Sequence, residues 1–136
     1  MVFEFSGTAL PTVALVGPTV NTASVPADPS NLPVTVIGGA VVQVRLTGAV
    51  ANWPTTDPPG PGYTGPTDLR PTSTANVVQV VETGDFEAVL SWAIGVRVGT
   101  TPRVSTLTDP IRVVIDVPHA SAPTVAPAPA RFSFAG

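Results

Sequence analysis

Any acid–base or metal chemistry in this chain would have to be built from nine acidic side chains, six arginines and a single histidine, His119, with no cysteine or lysine present. His119 follows Pro118 and stands three residues after Asp116. A Ser-His-Asp arrangement would also need a serine held on a sharp turn, and no G-x-S-x-G segment supplies one. His119 is therefore read as an exposed residue at a strand end. Glu82, Asp85 and Glu87 cluster near one turn. Paired carboxylates can cleave a glycosidic bond, so a glycan hydrolase using Asp85 or Glu87 is the weakest of three functional readings. Turns collect Asp and Glu for solvation and local hydrogen bonding, which explains the cluster without catalysis. Asp57 and Asp68 offer oxygen ligands for calcium, but no spaced set of ligands accompanies them. Without lysine there is no Walker motif, and Gly38-Gly39 does not open a helix. The chain is expected to carry no cofactor and no metal, and not to be an enzyme.

Binding chemistry is the better prospect. Trp53 and Tyr63 stand in a Pro- and Gly-rich segment over 52–72 that also contains Asp68 and Arg70. Amphipathic rings on a loop can stack on a sugar face or a partner peptide, and these four residues are the candidate binding set. Trp92 lies inside an apolar alternating run and is read as core packing. Phe132 and Phe134 sit at alternate positions near the end of the chain, repeating the spacing of Phe3 and Phe5 near its start. They are candidate docking residues for strand addition to an open sheet edge, in the same chain or a neighbouring copy.

The elements that must position these residues are strands. Val and Thr are abundant, and apolar side chains recur at every second position, whereas no stretch keeps helical spacing beyond a turn. From Val41 to Thr47, Val42, Val44 and Leu46 point one way and Gln43, Arg45 and Thr47 the other. Val77 to Thr83 and Phe86 to Val96 read as a hairpin turning at Gly84-Asp85. The second of these is apolar on both faces, as in a central strand covered on both sides, and Gly95 marks a bulge or a close backbone approach. Arg103 to Leu107 and Ile111 to Val117 pair across Thr108-Asp109-Pro110. Val2 to Ser6, Thr12 to Val16 and Val34 to Ile37 complete the set. The expected fold is an all-β antiparallel β-sandwich of about 7–8 strands, without disulfides, with one long Pro-rich loop over 52–72. The domain is expected to span 1–118, followed by a Pro/Ala-rich tail over 119–136.

Charge narrows the partners. The six arginines are scattered through a chain of net charge −3, with no basic stripe for nucleic acid or an anionic membrane. No apolar run is long enough to span a bilayer as a helix. Met1 leads straight into the apparent first strand, so no signal peptide is read in the chain.

The run Thr83-Gly84-Asp85-Phe86-Glu87-Ala88-Val89-Leu90-Ser91-Trp92-Ala93-Ile94-Gly95, the segment from Arg103 to Pro110 and the strand from Ile111 to Val117 together resemble the AMIN-like domain of actinobacterial secreted proteins and lipoproteins. Val2-Phe3-Glu4-Phe5, Val42-Gln43-Val44-Arg45-Leu46 and Tyr63-Thr64-Gly65-Pro66 look like earlier pieces of the same pattern. The related AMIN domain of cell-wall amidases is a β-sandwich that targets its enzyme to peptidoglycan. The resemblance thus implies an extracytoplasmic, non-catalytic envelope module whose partner is a wall polymer or an envelope protein. It also implies a further strand and an export signal ahead of Val2, and it carries over no ligand-contacting residue. A structural subunit that self-associates through its tail is the alternative reading.

Overall fold

A computed structural model describes residues 1–50 and 63–119. It contains ten strands: β1 (Val2–Phe5), β2 (Thr12–Val20), β3 (Ser24–Pro26), β4 (Pro33–Thr35), β5 (Ala40–Thr47), β6 (Asp68–Leu69), β7 (Val77–Phe86), β8 (Val89–Val96), β9 (Arg103–Leu107) and β10 (Ile111–Asp116). Seven of them have four residues or more and, with the short β6, build the sandwich. A five-stranded sheet ordered β2-β5-β8-β7-β6 faces a three-stranded sheet ordered β1-β10-β9, and β3 pairs with β4 as a separate ribbon. Each pairing is antiparallel.

The alternation read from the sequence sets the layers. Val42, Val44 and Leu46 of β5 join Leu90, Trp92, Ile94 and Val96 of β8 and Val113 and Ile115 of β10 in one buried cluster between the sheets. The opposite face of the large sheet contributes Val41, Val81 and Ala93 to a second cluster, capped by Val25, Val34 and Val36 from the ribbon and its exit. Strand β8 is consequently buried on both faces over nearly its whole length, as its two apolar faces require. Gly95 permits this: a Cβ there would run into the Ile37 carbonyl oxygen, so the ribbon's exit can rest on β8 only where no side chain stands.

The β7–β8 turn lies three residues beyond the expected Gly84-Asp85. Both strands continue past that pair, and the chain reverses at Glu87-Ala88, whose φ values are 50° and 59°. Gly84 instead lies at a register shift in β7 and bridges to Asp28. A Cβ on Gly84 would lie 2.6 Å from the Asp28 carbonyl oxygen, and the Asp28 N–H donates to the Thr83 carbonyl at 2.8 Å. The glycine serves a close approach between the ribbon and the sheet. Phe86 is therefore exposed rather than part of the core face, and Ala88 belongs to the turn. The Pro-rich segment contains a two-residue edge strand, β6, on the margin of the large sheet, the place where proline-flanked backbone is tolerated.

Two buried amides tie loops to strands. Asn76 donates from Nδ2 to the carbonyls of Val98 and Pro118, both at 3.0 Å, and accepts at Oδ1 from the Val98 N–H at 3.0 Å. Gln79, fully buried on β7, accepts at Oε1 from the Ile37 N–H at 2.8 Å and donates from Nε2 to Asp68 Oδ1 at 3.0 Å. Its side chain thus joins the ribbon's exit to β6. No helix among the described residues is long and apolar enough to cross a membrane.

Candidate binding cavity

The strand order brings β1 and β6 to the same side of the sandwich, where the two layers do not close on one another. Between them lies a cavity of about 560 Å³. Its apolar walls come from Phe3 and Phe5 of β1, Val80 of β7, Leu90 and Trp92 of β8, and Leu69 of β6. Tyr63, Pro66 and Val50 also line it. The rings meet edge to face: Phe3 and Trp92 have centroids 5.7 Å apart at 60°, and Tyr63 and Trp92 are 6.3 Å apart at 86°. Such edge contacts orient rings beyond what burial alone would do. Tyr63 is held by its hydroxyl, which donates to the Pro66 carbonyl at 2.8 Å.

Among the described residues the charged side chains that line it are Glu4, Asp68 and Arg70. Arg70 donates from Nη2 to Asp68 Oδ2 at 3.2 Å, with both side chains substantially exposed. The hydrogen bond from Gln79, followed by that from Arg70, holds the Asp68 carboxyl below its ordinary value. A fully buried amide therefore fixes an exposed carboxylate at the cavity's edge.

Of the residues singled out from the sequence, Tyr63, Asp68 and Arg70 line this one cavity, whereas Trp53, Phe132 and Phe134 lie outside the described residues. Trp92 packs in the core as expected, 4% exposed, and lines the cavity too; its indole Nε1 is buried without a hydrogen-bond partner. The contributions of Phe3, Phe5, Leu69 and Leu90 were not anticipated. Their only signal was the alternation that turned them inward, which does not say what they face.

The candidate catalytic groups lie elsewhere. Glu82, Asp85 and Glu87 are not among the described residues lining the cavity. Glu82 is half-buried, and desolvation, with the negative charge of Asp85 as a smaller cause, pushes its carboxyl above the usual value. His119 is exposed just beyond β10. Among the described residues no group of three or more His, Cys, Asp or Glu could hold a metal ion. A second, smaller cavity of about 220 Å³ lies under the ribbon, lined by Asp28, Arg45, Thr83 and Ser91 among others.

No curated protein and no solved structure gives a significant match to the chain. A family model does match, over residues 1–119, covering every strand described above. AMIN-like domains are typically non-catalytic binding modules associated with extracytoplasmic cell-envelope proteins. By that match and by its all-β fold, the chain belongs to the AMIN-like domain family.

Proposed function

We propose that this domain is a non-catalytic module of the cell envelope that recognises peptidoglycan, another wall polymer or an envelope protein through the cavity between β1 and β6. The observation that carries the reading is the convergence of Tyr63, Asp68 and Arg70 on one cavity, with Asp68 held by the buried amide of Gln79. A preformed apolar pocket with a few fixed polar groups is the usual form of a ligand site. Family membership supplies the envelope context. Co-sedimentation with purified sacculi and capture from envelope extract test it. The intact chain should be retained by at least one of the two, and Tyr63→Ala or Arg70→Ala should lower retention severalfold. Retention by neither would remove the reading.

A second reading, a structural subunit that assembles by strand addition, draws support from β9. All five of its residues are exposed and, among the described residues, one of its edges has no neighbouring strand, which leaves a template for another strand. The segment bearing Phe132 and Phe134 would be the donor. Removing residues 120–136 should then lower the oligomeric state in sizing experiments, and an unchanged oligomeric state would exclude it.

A further inference from the structure

The cavity walls and the cavity rim differ in chemistry, and together they specify a class of ligand. Phe3, Phe5, Leu69, Val80, Leu90 and Trp92 form the walls. Water held there would find few partners, so an apolar occupant displaces it favourably. A pyranose ring sunk in the same space would leave hydroxyl groups without hydrogen bonds, which is costly for buried polar groups. The volume of about 560 Å³ falls within the range of small-molecule sites. The five consecutive residues from Met1 to Phe5 all line it, a stretch of roughly 13 Å at the rise of a β-strand. A cavity bounded by two sheets and lined along the length of an edge strand suits a linear chain better than a bulky ring.

The rim decides the head of that chain. Among the described side chains, Glu4 and Asp68 are negative and Arg70 positive, the Met1 ammonium is engaged by the Ile115 carbonyl, and the protein as a whole is at −3. A carboxylate or phosphate head would lie beside two carboxylates and compete with Asp68 for the single guanidinium. A neutral hydroxyl or ester head meets no such repulsion. It can accept from Arg70, whose side chain is more than half exposed, and a hydroxyl can also donate to Asp68. We infer that the cavity takes one unbranched aliphatic chain with an uncharged oxygen-bearing head. This inference rests on the envelope-module reading of the same site and narrows the wall polymer or envelope protein named there to one that presents such a chain, with the sugar rings of peptidoglycan left outside the cavity.

Calorimetric titration of the full chain with 1-hexanol, 1-octanol, 1-decanol and decanoate tests the inference at neutral pH. Affinity for the alcohols should rise about fourfold per methylene, as expected for burial of an apolar chain. Decanoate should bind at least fivefold more weakly than 1-decanol. Leu69→Trp, which adds bulk from the edge strand, should weaken 1-decanol at least tenfold. Amide and indole chemical shifts provide a readout independent of that variant, and they should move at Phe3, Leu69, Leu90 and Trp92. Absence of chain-length dependence, equal or tighter decanoate binding, or shifts confined to other strands would overturn the inference. So would binding seen only after Trp53→Ala, because the chain would then be filling its own cavity. Retention on sacculi or envelope extract with no alcohol binding would remove the ligand class and leave the envelope reading standing, whereas loss of both would remove the two together.

Discussion

Where β5 faces β10, Val42, Val44 and Leu46 meet Val113 and Ile115, and each of these side chains is fully buried. Where β1 faces β6 and β7, side chains just as apolar leave about 560 Å³ open between them. The difference is one of partners rather than of hydrophobicity. On the closed side, strands of eight and six residues present β-branched and Leu side chains from regular neighbours, so the layers interdigitate. On the open side, the opposing elements are an edge strand of four residues and one of two, joined to rings that meet edge to face. Alternation orients side chains toward an interior, but strand length and strand order decide whether that interior closes.

Mutation can sharpen or break this contrast. The largest effect is expected on the closed side: Ile94→Ala, at a fully buried position, should lower the unfolding free energy by about 2–5 kcal/mol, read from urea denaturation. Gln79→Leu spans the two regions and should cost about 1–3 kcal/mol, because the Ile37 N–H loses its acceptor. The same change removes the first cause of the depressed Asp68 carboxyl, so an NMR titration should find Asp68 moved up toward its ordinary value. Leu69→Ala, at a position 38% exposed, should cost less than about 1 kcal/mol. Equal losses for Ile94→Ala and Leu69→Ala would abolish the distinction between the two sides.

The smallest expected effect is a dependence on pH. Because the folded-state carboxyl of Glu82 is raised, the folded protein holds more protons than the unfolded one just above the usual glutamate value. Its contribution to stability therefore improves as pH falls through the raised value and levels off below 4.5. Asp68 acts in the opposite sense: its stabilisation is present above 3.8 and is lost as pH drops through its lowered value. Denaturation of Glu82→Gln across this range should show the first slope flattened and the second retained.

The faces of β5, β8 and β10 were legible because alternation reports orientation directly, and the double coverage of β8 followed from Val89, Ser91 and Ala93 being small or apolar. The β7–β8 turn was not legible. Gly84-Asp85 has the composition of a tight turn, yet that glycine admits the Asp28 backbone, while the reversal falls on Glu87 and Ala88, residue types that seldom take positive φ. Strands β3 and β6 are three and two residues long, and Gln79 and the Gly95 contact fix what lies around them, a long-range condition absent from any local window. The cavity was half readable for the same reason. Tyr63, Asp68 and Arg70 stood out as polar or aromatic groups in a Pro-rich segment, but Phe3 and Leu69 acquire their role only from the strands opposite.

The double hold on the Pro118 carbonyl, which accepts from Asn76 Nδ2 at 3.0 Å and from Thr100 Oγ1 at 2.7 Å, has a mechanical meaning. Strand β10 ends two residues earlier, so tension entering from beyond residue 119 reaches the start of β7 and the connection after β8 before it can peel β10 from its neighbours. Load is passed to the larger sheet, and the small sheet that forms one wall of the cavity is spared the first strain. A domain held at that end could be tugged without distorting the mouth of the cavity.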